Sequence, residues 1–194
     1  MPARPPDYHR ISDPRVLRAI AHPTRERVLA ELYAVGPLRA ADVAEAIGIP
    51  ANQASFHLRQ LVKYGAIVPA PEAARDRRDR AYRLADERGF RLDVDEMEKQ
   101  PGGKSAVRVF RDSKEAWAHR LVEEAFAFNR EKDTTTTIIE QAMRLTKAEA
   151  LEFMREVDEV ADRWRTRTRG PSEDRRTYAF YCSVQPYPED EPAR

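Results

Sequence analysis

The chain has 194 residues, of which 41% are hydrophobic and 35% charged, with a formal charge of +1. That length suits one large domain or two small ones, and the apolar content is enough for a packed core. The lone cysteine, Cys182, excludes an intramolecular disulfide and a cysteine-only metal site. With no apolar run of about 18 residues and no signal-peptide pattern, the sequence predicts a cytoplasmic chain without a membrane span.

The near-neutral total hides an asymmetry. Residues 1–84 hold 14 Lys/Arg against 9 Asp/Glu, and residues 85–194 hold 20 against 24. The first half is therefore the one expected to face a polyanion.

Residues 1–12 are rich in proline and arginine (Pro2, Pro5, Pro6, Arg4, Arg10) and are expected to form a flexible arm. Asp13 is an N-cap candidate, with Pro14 at the first helical position. Helix one turns Val16, Leu17, Ile20 and Ala21 inward. Pro23 restarts the helical pattern, and Val28, Leu29 and Leu32 form the core face of helix two, which ends near Gly36. His22, between the two, suits a cap or a packing role rather than a ligand.

Arg39 to Gly65 is the most informative stretch. Val43, Ala44 and Ile47 make an apolar stripe, and Gly48 can take the left-handed conformation that ends a helix. Ile49 and Pro50 form a turn. A second helix, residues 51–64, follows, with Ala54, Leu58, Leu61 and Val62 inward. Its other positions are Asn52, Gln53, Ser55, His57, Arg59, Gln60 and Lys63. No carboxylate occurs from Ala46 through Pro71. A helix face free of anions and full of hydrogen-bonding groups suits base edges and neighbouring phosphates. Ala66 to Val68 is predicted as a strand, residues 69–80 as a hairpin wing with Arg75, Arg77, Arg78 and Arg80, and Ala81–Leu84 as the returning strand. Arginines on a protruding hairpin are placed to meet phosphates or a narrowed minor groove.

The segments LRAIAHPTRERVLAELY, DVAEAIGIPANQASFHLRQLVKYGAIV and ARDRRDRAYRL together resemble the winged helix-turn-helix domain of the arsenic-repressor-type (ArsR) family of bacterial transcription regulators. The likeness covers Asp13 to Leu84, under half of the chain. It implies a dimer that places two copies of the second helix in successive major grooves of a pseudo-palindromic operator. Carried onto this sequence, Asn52, Gln53 and Ser55, beside Ala51 at the start of the DNA-contacting helix, lie nearest the bases, and Phe56 either touches a thymine methyl or packs inward. His57 and Arg59 are expected on phosphate, with the wing arginines beside them. The family usually has a polar residue where Phe56 stands. Metal sensing in the family uses Cys before the reading helix or His and carboxylate sets on the dimer helix. Residues 39–47 hold neither Cys nor His, and His119 with Glu123 is a single i, i+4 pair, so no metal is expected.

Gly89 to Val94 adds a candidate strand, and Gln100 to Gly103 reads as a domain boundary. A long helix is predicted from Ser105 to Glu131, its stripe containing Phe110, Trp117, Leu121 and Ala125, which are assigned to a dimer interface. Thr134 to Leu145 reads as a strand. Thr146 to Glu149 is a capping box opening a helix with Phe153 and Trp164 inward. Arg176 to Tyr187 alternates like a half-buried strand, and PEDEPAR is an acidic tail.

The predicted organisation is mainly α with small β. It comprises an arm at 1–12, a winged helix-turn-helix domain at 13–100, a helix-strand-helix-strand dimerisation domain at 104–188 and a tail at 189–194. Phe110, Trp117, Phe126, Phe153 and Trp164 could line a small-molecule effector site or simply form core. No nucleophile signature or phosphate loop appears, so neither an enzyme nor a cofactor is expected. The functional expectation is a dimeric repressor bound to double-stranded DNA. The alternative is a winged-helix module whose partner is protein.

Overall fold

The computed structural model describes residues 9–75, 79–127 and 133–188. The protein is mainly helical, with a three-stranded antiparallel sheet and one two-stranded parallel pair. It divides into two compact units, residues 1–120 with 168–177, and residues 121–167 with 178–194.

The first unit opens with β1 (His9–Ile11) and α1 (Pro14–Ile20). The Asp13 carboxylate accepts the Arg15 backbone N–H at 2.8 Å, capping α1 as the sequence suggests. In α2 (Pro23–Val35) the cap is His22, whose Nδ1 accepts the Thr24 N–H at 3.2 Å. A short strand, β2 (Leu38–Arg39), was not anticipated; it leads into α3 (Ala40–Ile47) and α4 (Ala51–Lys63). Then come β3 (Ile67–Pro69), a 3-10 turn at Pro71–Ala73, β4 (Ala81–Leu84), β5 (Phe90–Leu92) and a short helix, α5 (Val94–Glu98). The sheet order is β2-β4-β3, with Leu38 opposite Tyr82 and Ile67 opposite Leu84.

Two features differ from expectation. Residues 9–11, assigned to the arm, pair in parallel with β5, His9 opposite Phe90 and Ile11 opposite Leu92. Ile11 is buried there, so part of the arm belongs to the core. Nor does the first unit stop at the Gln100–Gly103 break. That stretch is a tight turn into α6 (Gly103–Phe126), and Ala106 and Val107 join Met97 in the same core as Leu17, Val28, Leu58 and Leu61. Gly103 is obligatory at the turn: a Cβ there would lie 1.7 Å from the Met97 carbonyl oxygen. The expected helix end at Glu131 falls outside the described residues.

On α6, Phe110 packs against the core of its own subunit. Lys114, which interrupts the apolar stripe, reaches Glu26 of α2 at 3.2 Å and lays its ammonium over the rings of Phe110 and Trp117. The stretch 168–177 also belongs to this unit. Arg169 pairs with Glu87 at 2.8 Å, Gly170 N–H donates to the Val35 carbonyl at 2.9 Å, and the Thr177 hydroxyl donates to buried Glu31 at 2.7 Å.

The second unit contains α7 (Lys147–Thr168), opened by the expected capping box: Glu149 N–H donates to Thr146 Oγ1 at 3.2 Å and Thr146 N–H to the Glu149 carboxylate at 2.7 Å. The two strands expected at 134–145 and 176–187 are not formed among the described residues. A ladder needs a second strand in register, and alternation alone cannot supply one. The basic last turn of α7 is used locally: Arg165 pairs with Asp162 and Arg167 stacks over Trp164 at 4.8 Å.

Candidate nucleic-acid interface

The site is built by the turn between α3 and α4. Gly48 adopts φ 67°, closing α3 with bonds from Ile49 N–H to the Ala44 carbonyl (3.0 Å) and from Gly48 N–H to Glu45 (3.3 Å). This pair of bonds reverses the chain within two residues and satisfies carbonyls that the helix end leaves open. Pro50 then starts α4, its carbonyl accepting from both Gln53 and Ala54 N–H at 2.9 and 3.0 Å.

On its inner side α4 buries Ala54, Leu58 and Leu61 completely. The opposite face presents Asn52, Gln53, Phe56, Arg59 and Lys63 to solvent, with Ala51 at its start and Ser55 half-buried at its edge. Asn52, Phe56, Arg59 and Lys63 recur at i, i+4, i+7 and i+11, so they form one stripe along the helix. Lys63 was not among the expected contacts, although the same spacing identifies it. Phe56 is 48% exposed, hence outward and available for apolar contact.

His57 departs from expectation. It is only 8% exposed, its ring centroid 5.0 Å from that of His22 and 5.4 Å from Phe56. Its position explains this: with Ala54, Leu58 and Leu61 it completes the i, i+3, i+4, i+7 set of the buried face. It is therefore not on the outward face with Arg59, and the expected phosphate contact is corrected to a packing role. Burial holds the His57 imidazole below the ordinary histidine range, helped by the nearby charge of His22 and Arg25. Burial also lowers His22, with Arg25 adding to it.

The wing springs from β3 and β4. Its base is fixed by Asp79, whose carboxylate accepts the Arg75 backbone N–H at 3.3 Å and Arg39 Nη1 at 3.4 Å. Arg39 also donates through Nε to Asp42 at 2.8 Å, so one guanidinium ties the start of α3 to the returning side of the wing. The bonds from Arg39 hold the Asp42 carboxyl below its usual range. Arg39 and Asp79 lie 40 positions apart, and sequence reasoning did not find the pair. Arg75 and Arg80 are exposed; Arg77 and Arg78 fall outside the described residues.

Of the residues assigned to a dimer interface, Phe110 and Trp117 lie in the first unit, Leu121 and Ala125 in the second. All four are half-buried. Among the described residues, no group of three or more His, Cys, Asp or Glu could hold a metal ion. No described helix is long and apolar enough to cross a membrane.

Three sequence-adjacent helices, a two-residue reversal into an outward-facing helix, and a β-hairpin beside it define a winged helix-turn-helix domain. Residues 20–69 match the helix-turn-helix domain family, about a quarter of the chain. Among solved structures, a possible transcriptional regulatory protein from Mycobacterium bovis (fragment 1–100) is 22% identical, with TM-score 0.33, over 54% of this chain and 88% of that one. A solution structure of a homodimeric winged helix-turn-helix DNA-binding domain from the same organism, described as a possible ArsR-family regulator, is 21% identical (TM-score 0.32; 60% and 83% covered). A transcriptional regulator from Thermotoga maritima is 16% identical (TM-score 0.32; 78% and 84% covered). No curated protein matches the chain.

Proposed function

We propose that this protein is a sequence-specific DNA-binding transcription regulator of the ArsR type, acting in the cytoplasm as a dimeric repressor. The observation that carries this is the outward stripe of α4. It presents Asn52, Gln53, Phe56, Arg59 and Lys63 together, with no carboxylate on the helix, beside a wing base that exposes Arg75 and Arg80. Amides at the helix start can pair with adenine edges and cations further along with phosphate, while Phe56 suits a thymine methyl.

In this reading residues 13–100 bind DNA and 104–188 dimerise, with Phe110, Trp117, Leu121 and Ala125 near the seam. Pairing is required because one helix contacts too few bases for selectivity, and two related by a two-fold axis read half-sites one helical turn apart. A partnership with protein alone would not call for a carboxylate-free stripe flanked by arginines.

The test is selection of bound genomic fragments by the full chain. A common pseudo-palindromic motif, bound more tightly than shuffled DNA of equal length, is expected. Fragments without a shared motif, bound no better than the shuffled control, would overturn the reading. A reporter placed behind the recovered site measures the sign of regulation, with lower output expected.

A further inference from the structure

Of the side chains that α4 turns outward, Asn52, Gln53, Phe56, Arg59 and Lys63, only Phe56 is apolar. It takes no part in the cluster around Leu58 and Leu61, and 48% of it is exposed. Its ring is nevertheless held in place. It meets the buried His57 imidazole in a T-shaped contact, centroids 5.4 Å apart, and His57 rests in turn on His22 at 5.0 Å. A fixed ring among amides and cations gains stability only when something apolar covers it. On the base edges of the major groove the one sizeable apolar group is the C5-methyl of a pyrimidine; the others that distinguish the bases are hydrogen-bond donors and acceptors.

Asn52, one turn earlier on the same stripe, supplies the matching polar half. Its Oδ1 accepts the Gln53 backbone N–H at 2.9 Å, which leaves the amide N–H groups to donate to a ligand. Residues four apart on a helix hold their Cβ atoms about 5–6 Å apart, close enough for two side chains to converge on neighbouring groups of one base. Thymine carries an acceptor, O4, beside its methyl.

We propose that Phe56 makes recognition by this protein depend on a C5-methylated pyrimidine, thymine, with the ring covering the methyl and the Asn52 amide donating to O4 of the same base. The assignment rests on the regulator reading above and names a base that α4 selects. 5-Methylcytosine shares the methyl but presents an N4 donor where thymine has O4. Donor then faces donor at Asn52. The Phe56–Asn52 pair therefore ranks thymine above 5-methylcytosine, and 5-methylcytosine above cytosine by the methyl alone.

The experiment measures anisotropy of the full chain on the operator recovered by fragment selection, with thymines replaced one at a time by uracil, which lacks only the methyl. Covering one methyl contributes about fourfold in affinity, so the native protein should lose about fourfold at one position of a half-site and about 15-fold when both half-sites carry uracil there. Phe56→Ala should bind the thymine and uracil forms equally. With cytosine at that position, methylation should tighten native binding about fourfold and leave Phe56→Ala unchanged. A native protein indifferent to uracil at every position, the result expected of a ring wedged between base pairs, would overturn the assignment. So would a uracil penalty that survives in Phe56→Ala, or 5-methylcytosine bound as tightly as thymine. Should the variant fail to fold, the uracil and methylcytosine comparisons on the native protein decide. If no sequence is preferred at all, the regulator reading falls and this assignment with it; a preferred sequence that ignores its methyl groups overturns this assignment alone.

Discussion

Replacing Arg59 by alanine separates phosphate contact from base reading. Arg59 is exposed on the outward stripe of α4, two turns after Asn52, where a side chain leaving the groove meets the backbone. Its loss removes one cation from each copy. Each phosphate neutralised contributes about 0.9 to the slope of log affinity against log salt, so two copies should flatten the slope by about 1.8. Over a fourfold rise in salt, the native protein should lose affinity about 12-fold more than the variant; a single engaged copy would make that factor about 3.5. The assay is fluorescence anisotropy on the recovered operator and on shuffled DNA at several salt concentrations. The change should be the same on both DNAs, since phosphates carry no sequence. An unchanged slope, or a loss confined to the operator, would refute the placement of Arg59 on phosphate.

Gln53→Ala should weaken operator binding by about 1–3 kcal/mol and random DNA little; equal losses on both would remove its base-reading role. Arg77→Ala with Arg78→Ala should weaken binding to every sequence and flatten the salt slope by about one unit per lost contact, read in the same titration. Because burial lowers His57, the folded state resists protonating it while the unfolded chain titrates near the ordinary 6.5. The contribution to stability is therefore complete above that pH and is lost as pH falls through the lower folded value. In thermal melts between pH 7.5 and 5.5, His57→Leu should lose less stability than the native protein; an equal loss would mean that acid acts elsewhere.

The winged helix was legible because each of its features is local. Asp13 with Pro14, Gly48 after the α3 stripe, and the arginine-rich turn before β4 each state their structure within a few residues. The inner face of α4 was legible too, and its one error is instructive. His57 was placed by residue type, as a polar group fit for phosphate, when its spacing from Ala54 and Leu61 puts it inside. Periodicity outweighs polarity here, since an imidazole against a second ring tolerates burial in its neutral form. The parts that were not legible are pairings between distant positions. Three-residue β1 finds β5 some 80 positions on, and Arg39 finds Asp79; neither partner changes the local pattern of the other. The Gly102-Gly103 break misled for a related reason. Glycine marks a linker and a close approach alike, and only the Met97 carbonyl beneath Gly103 distinguishes them.

The same distinction bears on how the two halves could work as a regulator. In the first unit, pattern and burial agree: the residues that alternate or recur as apolar are the ones that are covered. In the second they disagree, because Ile139, Phe180 and Trp164 follow apolar patterns and remain exposed. A pattern written for burial without burial indicates a missing surface rather than a misread element. Sequence specifies the face; in the dimer proposed above a second chain supplies its cover. If that chain is a second copy, mass action makes order in this unit depend on protein concentration, while the helix-turn-helix keeps its own core at any dilution. Dilution should then abolish paired, operator-specific binding before it disturbs the fold of the winged helix. Electrostatic attachment of single copies to DNA would persist, because the cations of α4 and the wing belong to one chain.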